Sequence, residues 1–358
     1  MVTDMDFFES LLQTAKAGNA TDLHMCAGSY PLIRVNGKLE EIEYAGKSKP
    51  SVIDSIITGL INTRQKNKLE TERVLDFSFS KPGLGRYRAN IYSQRGTFAI
   101  AVRALPFDIP AFESLGLPNI VAKFTAKTHG LFLAAGATGS GKSTTLASLI
   151  NMINETYRYH ILTIEDPIEY LHQHKRSLVT QREIGEDADS FASALRSALR
   201  EDPDVIMVGE MRDPESISIV LTAAETGHLV FSTIHTNGAA KSIDRIIDVF
   251  EPAQHNQIRT QLASVLEGVI SQQLIPRTDK QGQVIACEVM VVNPAIRNLI
   301  REGKHYQVNS VIQTGTSLGM RLMEADLAHL VNAGVISVEE AIFRSPDQQI
   351  LNQFLHRR

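Results

Sequence analysis

Nine consecutive residues carry the first chemical signal in this chain. Gly136-Ala137-Thr138-Gly139-Ser140-Gly141-Lys142-Ser143-Thr144 satisfies the pattern G-x-x-x-x-G-K-[ST] in full. Glycines let successive backbone N–H groups curl around phosphate oxygens, and a following helix would add its positive N-terminus. Lys142 is spaced to reach β- and γ-phosphates, and the Ser143 hydroxyl to ligate Mg²⁺. The flanking context agrees, because the apolar run Leu131 to Ala135 enters the loop and the helix-compatible stretch Ser143 to Asn154 leaves it. A nucleoside triphosphate with Mg²⁺ is the expected ligand, held by all nine residues from Gly136 to Thr144.

Two more apolar runs end in carboxylates. One is His160-Ile-Leu-Thr-Ile-Glu165-Asp166-Pro167-Ile168-Glu169, the other Asp204-Val-Ile-Met-Val-Gly209-Glu210-Met211-Arg212-Asp213. In an open α/β sheet, ligands sit beyond the carboxyl ends of the strands. Glu165, Asp166 and Glu210 are therefore expected near the phosphates if their strands neighbour the strand that enters the loop. Phosphoryl transfer needs an acid to hold Mg²⁺, directly or through water, and another group to orient the attacking water. Asp213 has a plainer duty as well, since Asp-Pro-Glu is a helix start with Asp at the N-cap and Pro at N1. His228 follows Gly227, a glycine that ends a helix. It is read either as a structural histidine or as a donor to a γ-phosphate oxygen.

These groups need a scaffold, and the remaining pattern supplies one. From Leu131 to Thr233 short apolar runs alternate with helix-compatible stretches, which indicates a mostly parallel sheet covered on both faces. Beyond Ile258 the chain reads as mainly helical, apart from Val284 to Val292. Before Leu105 the texture is different: an amphipathic helix from Asp6 to Ala17, then short strands with turns at Asn36-Gly37, Pro82-Gly83 and Gln94-Arg95-Gly96. Asn-Gly between β-favouring runs is a strong hairpin signal. We expect an α+β domain over 1–105, a proline-bearing linker over 106–118 and an α/β domain over 119–358.

Composition narrows the classes. The 358 residues are 43% hydrophobic and 21% charged, as in ordinary globular chains, and 36 Lys and Arg against 40 Asp and Glu give a net charge of −4. A dedicated nucleic-acid binder normally shows a basic excess, so no direct nucleic-acid partner is expected. Cys26 and Cys287 form neither a disulfide framework nor a metal cluster and fit a reducing compartment. The acidic N-terminus does not look like a secretory signal, and no run approaches the roughly 18 apolar residues of a spanning helix. Membrane insertion is not expected.

Taken together, the phosphate loop, the box Thr163-Ile-Glu165-Asp166-Pro-Ile-Glu169, the ending Gly209-Glu210 and the motif Thr226-Gly-His228…Thr233-Ile-His235-Thr resemble the secretion ATPases of type II secretion and type IV pili. The likeness covers nearly the whole chain, with Ala20-Thr-Asp-Leu-His24 and Gly85-Arg-Tyr-Arg88-Ala-Asn among its early matches. Ala295-Ile-Arg297-Asn-Leu299-Ile300-Arg301-Glu302-Gly303-Lys304 resembles the signature helix of the pilus-retraction branch, the PilT family. Read by itself it is an amphipathic helix with Ile296, Leu299 and Ile300 inward and Arg297 and Arg301 outward. Assembly motors carry a longer N-terminal region and four zinc-binding cysteines, which this chain does not match.

The resemblance implies a PAS-like N-terminal domain, a RecA-like P-loop ATPase domain with a helical C-terminal region, and a homo-hexamer driven by ATP and Mg²⁺. It assigns Glu165 to polarising the attacking water, Glu210 to Mg²⁺ through water, and His228 to sensing the γ-phosphate. Arg88, Arg95 and Arg103 would complete the site from a neighbouring small domain. The implied activity is retraction of type IV pili and twitching motility. The implied location is the cytoplasmic side of the inner membrane, on a pilus platform protein, with a paralogous retraction ATPase as a further partner. His235-Thr-Asn-Gly238 and Gly319-Met-Arg-Leu-Met-Glu324 depart from the family pattern. They leave open an accessory retraction ATPase, of the PilU kind; a separate alternative, a nucleotide-gated ring subunit with little turnover, is disfavoured by the intact Lys142, Ser143, Glu165 and Glu210.

Overall fold

The computed structural model describes residues 3–106 and 108–356. Phe107 of the expected linker and the terminal residues of both expected domains lie outside the described residues. The chain divides into two units: one runs up to Asp108 and takes in Pro167–Leu171, and the other holds Ile109–Asp166 and the chain from His172 onward.

In the first unit, six strands form an antiparallel sheet: β1 Asp22–Met25, β2 Leu32–Val35, β3 Lys38–Glu41, β4 Val74–Lys81, β5 Gly85–Gln94 and β6 Thr97–Leu105. Their order is β3-β2-β1-β6-β5-β4. The hairpin expected at Asn36-Gly37 is a two-residue turn in which both residues take positive φ, 48° and 81°. That is the conformation for which Asn-Gly is suited. The first helix, Asp4–Ala17, buries Phe8, Leu11, Leu12 and Ala15 as its spacing anticipates. Helices Pro50–Leu60 and Thr63–Glu72 add Ile53, Ile56, Ile57 and Leu69 to the same core.

In the second unit, seven strands form one sheet: β7 Gly130–Ala135, β8 His160–Glu165, β9 Leu178–Glu183, β10 Val205–Val208, β11 Leu229–Ile234, β12 Leu266–Pro276 and β13 Gln283–Val291. The order is β13-β12-β7-β11-β10-β8-β9. All neighbours are parallel except β12 and β13. The central strands β7, β10 and β11 are buried at every position, as a parallel sheet with helices on both faces demands. The helix Lys142–Thr156 packs on one face with Phe124 and Phe132. Helices Phe191–Ala198, Pro214–Glu225, Ala239–Asp248 and His255–Val265 cover the other.

Two sequence expectations need correction here. The stretch after Ile258 is not mainly helical outside Val284 to Val292, because β12 is an eleven-residue strand paired with β7. Its Glu and Gln residues favour helix locally, but the open edge of β7 offers a ladder of unpaired backbone groups, and filling it outweighs local preference. Arg297, expected outward, instead turns back onto the end of the helix His255–Val265. Its guanidinium donates to the Ala263 and Ser264 carbonyls at 2.7 and 2.8 Å and pairs with Glu267 at 2.5 Å. An arginine there satisfies carbonyls that a helix end leaves without partners. Arg301, one turn further, is exposed as expected.

A buried carboxylate joins the sheet to two helices. Glu288 on β13 accepts from the Ala239 N–H at 2.7 Å and from the Met323 N–H, the first residues of helices Ala239–Asp248 and Met323–Asn332. Burial, with Glu324 adding, pushes its carboxyl up to about 7, against the pull of those two N–H groups. A carboxyl raised in the folded state stabilises most when protonated, so the contribution is present at low pH and is lost as pH rises through about 7. The difference is about 3 kcal/mol by linkage. Glu288→Gln should therefore flatten the pH dependence of stability between pH 5 and pH 8 and gain most over wild type at pH 8. Denaturant unfolding at both values checks this, and an equal change at the two would contradict it.

Candidate active site

The loop after β7 is built by its glycines. Gly136, Gly139 and Gly141 have φ of 146°, 78° and 88°, a region that favours glycine over any residue with a Cβ. Space is closed as well as conformation: a Cβ on Gly136 would come within 2.6 Å of the Gln272 carbonyl oxygen and collide with the Ser140 hydroxyl. Lys142 opens the helix Lys142–Thr156, is 7% exposed, and donates to the Gly136 and Ala137 carbonyls, each at 2.9 Å. Its ammonium thus lies inside the loop's curl, where charge can meet phosphate oxygens. Ser143 stands second in that helix, with Thr144 beside it. The Ser140 hydroxyl and the Gln272 side-chain carbonyl are buried without hydrogen-bond partners. A buried polar atom left so costs about 1–3 kcal/mol, and a polar ligand in the loop would relieve it.

Glu165 ends β8, three strands from β7, and is 8% exposed. It accepts from the Thr163 hydroxyl at 2.7 Å and the Gln181 amide at 3.3 Å. Glu210 lies just past β10, two strands from β7. The Gly209 N–H donates to the Ile164 carbonyl at 2.8 Å, which ties that turn to β8. Glu210 pairs with Arg212 at 2.6 Å and with His235 Nε2 at 3.5 Å. The structure thus brings Glu165 and Glu210 to the end of the sheet that carries the phosphate loop. The condition on which the sequence expectation rested, that their strands adjoin β7, is not met, because β11 lies between β7 and β10.

β11, which adjoins β7 on one side, delivers His235. Burial, reinforced by the Lys142 charge, holds its imidazole below the ordinary histidine value, although Glu210 works the other way. At neutral pH it is uncharged and can donate or accept. His228, the histidine expected at the γ-phosphate, stands at the opposite, amino end of β11. Its Nδ1 lies 3.0 Å from the Ala223 carbonyl, closing the end of the helix Pro214–Glu225. Seven strand positions separate the two histidines, about 23 Å of extended chain. His228 is therefore not brought to the loop in its own chain, because β11 runs parallel to β7 and only its carboxyl end meets it.

The three arginines belong to the first unit. Arg88 and Arg103 stand directly opposite on β5 and β6, a like-charged pair offset by Asp76 at 3.6 Å and Asp22 at 2.8 Å. Burial pushes the Asp22 carboxyl up, but bonds from Thr21 and Arg103 outweigh it and hold it below its ordinary value. Arg95 sits in the turn after β5 with φ 48°, seven strand positions from Arg88, or about 23 Å. The three do not form one cluster.

Hard oxygen donors on Ser143 and Glu210 suit Mg²⁺, which is usually held by one or two protein oxygens together with substrate phosphates. Among the described residues there is no group of three or more His, Cys, Asp and Glu arranged to hold a metal. Gln272 was not foreseen, because its strand reads as helix. His235 had a visible signal in its position after an apolar run that ends like those of Glu165 and Glu210. Replacing His235 by Ala should lower ATP turnover about 100-fold, the low end for a positioned proton donor or acceptor, whereas His228→Ala should stay near wild type. Steady-state phosphate release decides between them.

Residues 112–343 match the family model described as type II/IV secretion system protein. The chain is 47% identical over 337 residues to the type IV pilus retractation ATPase PilT of Pseudomonas aeruginosa, covering 94% of this chain and 97% of that one. It is 46% identical over 343 residues to a twitching motility protein of Neisseria gonorrhoeae, covering 96% and 91%. A crystal structure described as the pilus retraction motor PilT with bound ADP superposes with a TM-score of 0.91 at 46% identity, over 96% of this chain and 98% of the other. The phosphate loop, its carboxylates and these likenesses agree: the chain belongs to the type II/IV secretion system protein family, among its PilT-type pilus-retraction ATPases.

Proposed function

We propose that this chain hydrolyses ATP to power the retraction of type IV pili. The observation that carries the reading is the meeting of Lys142, Glu165, Glu210 and His235 at one end of a parallel sheet, in a chain similar along almost its whole length to retraction ATPases. The loop Gly136 to Thr144 binds the triphosphate through backbone N–H groups, and Lys142 neutralises charge at the β- and γ-phosphates. Mg²⁺, held by Ser143 and by Glu210 through water, would supply Lewis-acid charge to the same oxygens. Glu165 accepts the proton of the attacking water; Thr163 and Gln181 hold its carboxylate in place by donating to it. His235, uncharged, donates toward the γ-phosphate, the role first assigned to His228. Arg88, Arg95 and Arg103 are proposed to reach the phosphates of a neighbouring subunit, with Arg88 and Arg103 acting as one pair and Arg95 separately, because a guanidinium stays charged and grips phosphate in a planar fork.

We read residues 1–105 as a PAS-like domain, 106–118 as linker and 119–358 as a RecA-like domain with its helical C-terminal part, assembled as a homo-hexamer. The antiparallel sheet with helices in the first unit and the parallel P-loop sheet in the second support that assignment. Among the described residues no helix is long and apolar enough to cross a membrane. This is consistent with recruitment by an inner-membrane pilus platform protein on the cytoplasmic side, with a paralogous retraction ATPase as a second contact.

Glu165→Gln keeps the hydrogen-bonding shape but removes the base, so ATP binding should persist while turnover falls by about 1,000-fold. Calorimetry and phosphate release check it, and near wild-type turnover would remove Glu165 from the role. Arg301→Ala should leave ATPase activity within about twofold, as expected of an exposed substitution remote from the loop, while cells accumulate pili that do not shorten. A strain carrying it that still twitches would refute an effector role for this helix.

A further inference from the structure

We propose that β12 is the positioning strand of the ATP site, with consecutive residues Ser271 and Gln272 fixing the His235 loop and the phosphate loop to one another. The inference rests on the ATP-site reading above and adds residues that the phosphate-loop pattern does not contain. Neighbouring side chains in a strand point to opposite faces, so one dipeptide can serve both faces of the sheet.

Gln272 serves the phosphate loop. It is fully buried, its side-chain amide donates to the Ser140 carbonyl at 3.0 Å, a Cβ on Gly141 would lie 3.3 Å from that amide nitrogen, and its backbone carbonyl bars any side chain at Gly136. Two positions of the loop are shaped against this side chain and a third against its backbone. Ser271, 2% exposed, serves the other loop: its hydroxyl accepts from the Gly238 N–H at 2.9 Å, while its cross-strand partner Glu288 accepts from the next N–H, that of Ala239, at 2.7 Å. The turn that begins at His235 is closed further by Thr236 and Ser242, whose hydroxyls lie 2.7 Å apart.

Register explains why this fixes distance. Ala135 pairs with Ile234 of β11 on one side and Ser271 of β12 on the other, so the start of the phosphate loop, the last residue before His235 and the positioning dipeptide lie at one level of the sheet. An ordinary central strand would place Val or Ile at these buried positions. A buried glutamine and serine are tolerable only where their polar atoms are used. Gln272 therefore governs the grip on nucleotide, and Ser271 governs where His235 stands during hydrolysis.

The test uses the full chain with five single variants and one double variant, read by ATP affinity and by steady-state turnover. Gln272→Leu should weaken ATP binding about tenfold, the loss of one hydrogen bond's worth of order. Ser271→Ala should leave affinity within about twofold and lower kcat about tenfold, and Ser271→Thr, which keeps the hydroxyl, should restore kcat. In a His235→Ala background, Ser271→Ala should have no further effect on kcat, because what it positions is gone. A merely structural serine would instead multiply its effect onto His235→Ala, and that result, or a Gln272→Leu variant with wild-type affinity, overturns the proposal. Lys142→Ala serves as the reference: unchanged affinity there would overturn the ATP-site reading itself, whereas weakened affinity with failed β12 outcomes would overturn this inference alone.

Discussion

A loop that binds triphosphate must be irregular enough to turn its N–H groups inward and rigid enough not to collapse onto them. Everything at this site follows from that constraint. Irregularity comes from glycine: with φ at 146°, 78° and 88°, Gly136, Gly139 and Gly141 adopt backbone shapes that a Cβ would strain. Rigidity comes from outside the loop, because a segment with so few side chains cannot pack against itself. β7 delivers one end, the helix Lys142–Thr156 fixes the other, and Gln272 closes the gap between them with a hydrogen bond to Ser140.

The same economy places the carboxylates. Parallel strands deliver all their carboxyl ends to one edge, so Glu165, Glu210 and His235 meet there without any loop having to reach. Hydrogen bonds set the spacing. The Gly209 N–H donates to the Ile164 carbonyl at 2.8 Å, tying the turn after β10 to β8, and the Thr233 hydroxyl of β11 donates to the Gly209 carbonyl at 2.5 Å. Charge is graded along this edge, from the buried Lys142 through an imidazole kept neutral by burial to the Glu210 and Arg212 pair.

The far end of the sheet does different work. Glu267 pairs with Lys127 at 2.7 Å and with Arg297 at 2.5 Å, and lies so close to Gly130 that no side chain fits there. One carboxylate therefore ties the start of β7, the residues before it and the signature helix into a single knot. Within that helix the two arginines divide their duties: Arg297 is spent on carbonyls of its own chain, while Arg301 keeps its charge in solvent. Ile296 and Ile300 are buried and Leu299 packs at the rim, so the helix is seated by one face and offers the other.

Sequence alone determined whatever depends on residue type at short range. The phosphate loop, the Asn36-Gly37 turn, the Asp213 N-cap and the alternation of apolar runs with helices were legible because glycine conformations, capping hydroxyls or carboxylates, and strand burial leave local signatures. Only tertiary structure decided which elements stand side by side. It turned the Glu- and Gln-bearing stretch around residue 270 into β12, because the free edge of β7 rewarded a strand there more than local preference rewarded a helix. It placed His235 rather than His228 at the end of the sheet that carries the phosphate loop, since two histidines seven positions apart read alike in sequence until the direction of β11 against β7 is known. It turned Arg297 inward, where unfilled carbonyls at a helix end attract a guanidinium more strongly than water does. Strand order and register are set by summed burial over the whole sheet, and no short stretch of residues encodes that sum.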